Sequence, residues 1–177
     1  MKTLVIVAHP NLAESRINKR LVRALEDTQG VTVHHLYNEY PDFNIDVERE
    51  QKLLLEHDRI VLQFPFYWYS SPALLKQWED AVLAYGFAYG HDGTALHGKE
   101  FMLALSTGGP QEAYQAGGYN QFSMSELLKP FQATSNLIGT KFLPSFLIHG
   151  IFQVSDEQLE QLATEYAAYV QAEFATR

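Results

Sequence analysis

The chain has 177 residues, 13 Lys and Arg against 21 Asp and Glu, a formal net charge of −8, and no cysteine. The length suits one domain of about 100–200 residues with a proper core, here residues 1–177 as a single unit. Zero cysteine excludes disulfide frameworks, thiolate zinc sites, cysteine-ligated iron–sulfur clusters and cysteine nucleophiles; the acidic balance gives no electrostatic footprint for nucleic acid.

Met1-Lys2-Thr3 leads into Leu4–Ala8, a continuous apolar run stopped by His9-Pro10. It is too short for a signal segment and reads as a first buried strand. No run approaches the roughly 18 apolar residues of a membrane helix, so the expected location is the cytoplasm. Ser15 then caps a helix whose inner face is Ile17, Leu21, Ala24 and Leu25, with Gly30 beyond its end. Val31–Leu36 is the second strand. Asp46 caps a helix that turns Leu53 and Leu54 inward, and Arg59–Phe64 is the third strand. Ser71-Pro72 reads as an N-cap with proline at the first helical position. Leu74, Leu75, Trp78, Val82 and Tyr85 recur behind it at helical spacing until Gly86. Phe101–Ser106 is the fourth strand, residues 121–136 a helix, and Phe146–His149 a weaker fifth strand. Pro144 places that strand at an edge, since proline cannot donate to a ladder. Ser155 and Gln158 form a capping box before the inner stripe Leu159, Leu162, Tyr166 and Val170.

Strand and helix alternate along the whole chain. That order predicts an α/β three-layer sandwich around a parallel sheet of five strands with right-handed crossovers. In such sheets ligands bind outside the carboxyl ends of the strands, so three loops carry the functional reading.

The first, His9–Asn18, ends on a helix N-terminus, a natural anion site, with Ser15 and Asn18 as side-chain donors and Arg16 as a nearby charge. The plain alternative is a turn with an N-cap serine. No glycine-rich dinucleotide fingerprint or Walker motif occurs, which argues against a Rossmann-type coenzyme loop. The second loop holds five aromatic residues in six positions, Phe64 to Tyr69. They cannot all enter one core, so they form either a wall for a planar ligand or a contact surface. The third, Ser106-Thr107-Gly108-Gly109-Pro110, is a glycine platform that allows close backbone approach. Beyond it Tyr114, Gly117, Gly118, Tyr119 and Asn120 read as a flap. Together the loops suit a phosphate joined to a flat heterocycle, such as FMN. Of the other histidines, His34, His35 and His57 read as scattered, exposed residues, and His91 and His97 lie in a loop without metal-ligand spacing.

Several stretches then match one family. They include Ala8-His9-Pro10 with Ser15 and Asn18, Tyr40-Pro41-Asp42-Phe43, and Phe64-Pro65 with Trp68-Tyr69 and Ser71-Pro72. Others are Leu74-Leu75-Lys76 with Trp78, Gly86-Phe87-Ala88-Tyr89-Gly90, Leu96-His97-Gly98-Lys99 and Thr107-Gly108-Gly109. Over nearly its whole length the chain resembles the flavodoxin-like NAD(P)H:quinone oxidoreductases, the family of DT-diaphorase. The likeness is to the bacterial branch of potassium-efflux ancillary proteins and general stress proteins. The resemblance implies a flavodoxin-like fold, strand order 2-1-3-4-5, and a non-covalent flavin, FMN or alternatively FAD. His9, Ser15, Ile17 and Asn18 would hold the phosphate side. Pro65, Phe66, Tyr67, Trp68 and Tyr69 would line the ring, and Ser106, Thr107, Gly108 and Gly109 its polar edge.

The family pattern also places a tyrosine and a histidine beyond the platform. Tyr114 matches the tyrosine; Tyr119 and Asn120 stand where the histidine would fall, and these three are the catalytic candidates. Tyrosine has an ordinary pKa of about 10 against about 6.5 for histidine, so proton handling departs from the family here. The implied reaction is ping-pong: NAD(P)H passes a hydride to flavin N5, and two electrons then pass to a quinone. A homodimer is implied, with the helix of residues 72–85 at its boundary. The rival functions are a regulatory ancillary subunit docked on a glutathione-gated potassium-efflux transporter at the membrane's inner face, and a one-electron flavodoxin carrier.

Overall fold

A computed structural model describes residues 1–175 of the chain. The apolar runs become strands of one parallel sheet: β1 (Thr3–Val7), β2 (Val31–His35), β3 (Arg59–Pro65), β4 (Glu100–Ser106), β5 (Lys141–Phe142) and β6 (Phe146–Ile148). The expected order β2-β1-β3-β4-β5 holds. The strand count does not, because the sheet has six strands among the described residues. β5 and β6 both pair with β4, at Phe101↔Phe142 and at Leu105↔Leu147. The Leu143 amide still donates to the Phe101 carbonyl at 2.8 Å. Pro144 has no N–H to continue the ladder, so the edge breaks there and resumes at Phe146.

The helices are α1 (Arg16–Leu25), α2 (Leu36–Glu39), α3 (Val47–Leu55), α4 (Ala73–Val82), α5 (Met124–Leu127), α6 (Lys129–Leu137) and α7 (Asp156–Tyr169). Side chains alternate across each strand, so every buried strand feeds two cores. Val5, Val7, Val61 and Met102 pack with Ile17, Leu21, Leu159 and Tyr166 of α1 and α7. Leu4, Ile6, Ile60, Leu62 and Leu103 pack with Leu54, Leu74, Trp78 and Phe131 of α3, α4 and α6. Those two helix layers enclose β1 and β3 completely.

Three helix starts stand as expected. Ser15 accepts from the Asn18 amide and Asp46 from the Arg49 amide, both at 3.1 Å, and Ser155 with Gln158 closes a capping box. Others differ. Pro72 itself is the N-cap of α4, with extended ψ, and the Ser71 hydroxyl turns to the Pro72 carbonyl. α4 ends at Val82, whose carbonyl is taken by Gln51 Nε2 at 3.0 Å. Tyr85, expected on the inner stripe, is therefore 67% exposed. The helix expected over residues 121–136 is broken at Leu128, where Pro130 cannot return a hydrogen bond to Glu126.

Two histidines expected to be exposed are buried. His57 bridges the Leu53 carbonyl and the Thr32 hydroxyl. His34 meets both carboxylate oxygens of Glu50, at 2.9 and 3.0 Å. Tyr40 Oη and Trp78 Nε1 donate to the same carboxylate at 2.6 and 2.8 Å. Burial alone would raise the Glu50 carboxyl; these donors outweigh it and hold the group below its ordinary value.

Candidate functional site

The carboxyl ends of β1, β3 and β4 lie side by side, and the three loops leave the sheet there. After β1, the half-buried His9 accepts the Asn11 amide on Nδ1 at 3.0 Å, so its neutral ring carries the proton on Nε2. Burial lowers its pKa and favours that neutral form. Ser15 begins α1, and nothing among the described residues accepts from the Arg16 and Ile17 amides. Ile17 points its side chain into the α1–α7 core. Asn18 is buried too, with Nδ2 donating to Ser106 Oγ at 2.9 Å and its carbonyl accepting from Gln63. It thus joins α1 to the end of β4. Arg16 turns away to Asp156 at 2.6 Å and to the Val154 carbonyl, so positive potential at the first loop comes from amides and the helix dipole.

After β3, Pro65 ends the strand and the Phe66 amide donates to the Ser106 carbonyl at 2.9 Å. Tyr67–Ser70 is a tight turn closed by the Ser70 amide on the Tyr67 carbonyl. Its central residues, Trp68 and Tyr69, have φ of +48° and +59°. Two bulky residues in the left-handed region store about 1–3 kcal/mol of strain each. The turn drives Trp68 into solvent, 93% exposed, and points no acceptor at the Trp68 and Tyr69 amides among the described residues. His9 meets Tyr67 edge-on, with ring centroids 6.5 Å apart.

After β4, the Gly108 and Gly109 amides likewise lack acceptors among the described residues. Tyr114 sits against the platform: a Cβ on Gly109 would lie 3.1 Å from Tyr114 Oη. The flap returns through the Asn120 amide on the Ala113 carbonyl. At Gly118 a Cβ would fall 2.4 Å from the Glu112 carbonyl, so only glycine fits that crossing. Tyr69 Oη donates to Asn120 Oδ1 at 2.9 Å and ties the aromatic turn to the flap. Phe66, Trp68, Tyr69, Gly109, Tyr114, Tyr119 and Asn120 line one cavity of about 650 Å³. The second and third loops and the flap therefore share a pocket. The first loop adjoins it through the His9–Tyr67 and Asn18–Ser106 contacts.

A family model described as a flavodoxin-like fold matches residues 1–171. The chain belongs to that flavodoxin-like family. An uncharacterized NAD(P)H oxidoreductase of Bacillus subtilis, YrkL, is 56% identical over 98% of this chain and 99% of its own. The ancillary protein KefG of the glutathione-regulated potassium-efflux system of Yersinia enterocolitica is 43% identical over 99% and 95%. General stress protein 14 of Treponema denticola, solved in complex with FMN, superposes at a TM-score of 0.92, with 43% identity over 96% and 98% of the two chains. An NADPH-quinone reductase of P. pentosaceus superposes at 0.90, with 42% identity over 98% and 100%. The resemblance read from the sequence motifs is thus borne out.

Two residues that back the candidate site escape sequence reading. His149 follows β6 and stacks on Tyr114, with centroids 5.3 Å apart and planes at 33°. Phe152, 88% exposed, reaches within 3.5 Å of where a Gly108 Cβ would sit. The usable signal was position: both follow the carboxyl end of the last strand, the same sheet edge as the other loops.

Proposed function

We propose that this chain is an FMN-dependent NAD(P)H:quinone oxidoreductase built as one flavodoxin-like domain. The observation that carries the reading is a set of six amides without acceptors among the described residues, those of Arg16, Ile17, Trp68, Tyr69, Gly108 and Gly109. They sit at the three adjoining strand ends, beside an aromatic cavity. When bound, FMN would supply the redox chemistry, hydride uptake from NAD(P)H and two-electron reduction of a quinone.

The chain's residues do the holding and steering. Ser15 Oγ and the first amides of α1 grip the phosphate, with the helix dipole behind them. His9 offers Nε2–H beside them, while Asn18 braces Ser106 from below. Pro65, Phe66, Tyr67, Trp68 and Tyr69 wall the ring, and the amides of Gly108, Gly109 and the turn serve its polar edge, the Thr107 amide being already given to the Ile148 carbonyl. Tyr114, Tyr119 and Asn120 orient the acceptor and hold a proton or hydrogen bond at its oxygen. Tyr119 is 91% exposed and can swing over an incoming ring.

The test is direct. The purified protein should be yellow, release a molecule of FMN mass, and oxidise NAD(P)H with a soluble quinone. A colourless protein that takes up no flavin would overturn the reading.

The KefG likeness favours a second role, as an ancillary subunit docked on the cytoplasmic face of a glutathione-gated potassium-efflux transporter. An enzyme can fill it, and co-purification with such a transporter tests it. We also place a homodimer boundary at α4 and α6. A concavity of about 350 Å³ opens there between Lys76, Glu79, Leu83, Tyr89 and Leu137. Glu79 Oε1 is the one buried side-chain polar atom without a partner among the described residues. Light scattering that gives a monomer mass would remove the dimer.

A further inference from the structure

The two glycines of the platform are permissive backbone, and something must hold their amides in place. The turn after β6 does so. The Thr107 amide donates to the Ile148 carbonyl at 2.9 Å, the Ile151 amide to Thr107 at 3.1 Å, and the Gly150 amide to Gly109 at 2.9 Å. A side-chain path runs alongside: Thr107 Oγ1 lies 2.8 Å from the Gly109 carbonyl oxygen and 2.9 Å from His149 Nδ1. A hydroxyl has one proton, and a carbonyl can only accept. Both contacts are hydrogen bonds only if Thr107 donates to Gly109 and accepts from an Nδ1–H on His149. The tautomer is therefore set by its partners, and Nε2 carries no proton in the neutral ring. Burial lowers the His149 pKa and favours that neutral ring; a protonated ring would keep the same Nδ1–H.

We propose that His149 is a positioning residue, whose Nδ1–H acts through the Thr107 hydroxyl to hold the Gly108–Gly109 platform against the flavin. The same ring buttresses Tyr114. This rests on the FMN reading above.

The experiment is an FMN fluorescence titration of the flavin-stripped full chain. His149→Ala should weaken FMN binding about tenfold, the worth of one such bond. Thr107→Val should do the same, and the double variant should lose little more, because both act through one bond. His149→Asn places an amide N–H where Nδ1–H stood and should restore binding to within about twofold. Asn as weak as Ala, or a double variant weakened about a hundredfold, would overturn the proposal. Wild type that binds no FMN would overturn the parent reading with it. Tight binding by both single variants would overturn this one alone. If His149→Ala does not fold, Thr107→Val and His149→Asn carry the same comparison.

Discussion

Around Glu50, three donors from β2, α4 and the segment after α2 converge on one buried carboxylate, and its oxygens are fully engaged. At the carboxyl ends of β1, β3 and β4, amides including those of Arg16, Ile17, Trp68, Tyr69, Gly108 and Gly109 have no acceptor among the described residues, and two bulky residues carry left-handed backbone. The first cluster lies within the apolar core, where an unpaired polar group is costly, so folding pairs it. The second faces solvent, where water can serve the amides until the proposed ligand replaces it. Satisfied polarity marks what holds this fold together. Unsatisfied amides at the strand ends mark the edge proposed to bind flavin.

The largest effect should come from the satisfied cluster. Glu50→Ala strands the donors of His34, Tyr40 and Trp78 and should cost about 3–5 kcal/mol in a urea denaturation. FMN affinity should hardly change. The same carboxylate predicts an acid limit. Its folded pKa lies below the ordinary 4.5, so its contribution is complete above that value and is lost as pH falls through the folded pKa. Glu50→Gln should flatten that acid slope. An unchanged slope would locate the acid sensitivity elsewhere.

Glu79 is the intermediate case. Burial pushes its carboxyl up to about 7, so the folded chain binds more protons than the unfolded one between pH 4.5 and 7. Stability should fall as pH rises through that window. Glu79→Gln should recover about 1–3 kcal/mol at pH 8, read by thermal unfolding. If a partner subunit supplies a donor to Glu79, the recovery should vanish in the dimer.

The smallest effect sharpens the contrast most. Trp68→Gly relieves a positive φ at an exposed side chain and should stabilise the unliganded chain by about 1 kcal/mol. The same change should weaken flavin retention. A variant that is less stable and binds normally would mean that the turn serves folding rather than binding.

Much of this contrast was legible in the sequence, because its signals are local. Leu4–Ala8 is a strand by its own apolarity, and Ser15, Asp46 and Ser155 cap helices through residues three positions away. The clustering of aromatics at Phe64–Tyr69 likewise needed no partner to be noticed. What sequence reading missed depends on distant pairing. Glu50 meets His34 sixteen positions earlier and Trp78 twenty-eight later. His149 meets Thr107 forty-two positions back. No periodicity encodes such meetings. Pro144 and Pro130 were visible, but the sixth strand and the broken helix follow from which carbonyl each leaves unpaired.

On the FMN reading, the unpaired amides at the strand ends are the flavin's donors. An amide-resolved NMR titration of the protein with FMN tests it most directly. The Arg16, Ile17, Trp68, Tyr69, Gly108 and Gly109 amides should shift and gain exchange protection, while amides around Glu50 stay still. FMN binding that leaves those six unmoved, or that perturbs the Glu50 cluster instead, would contradict it.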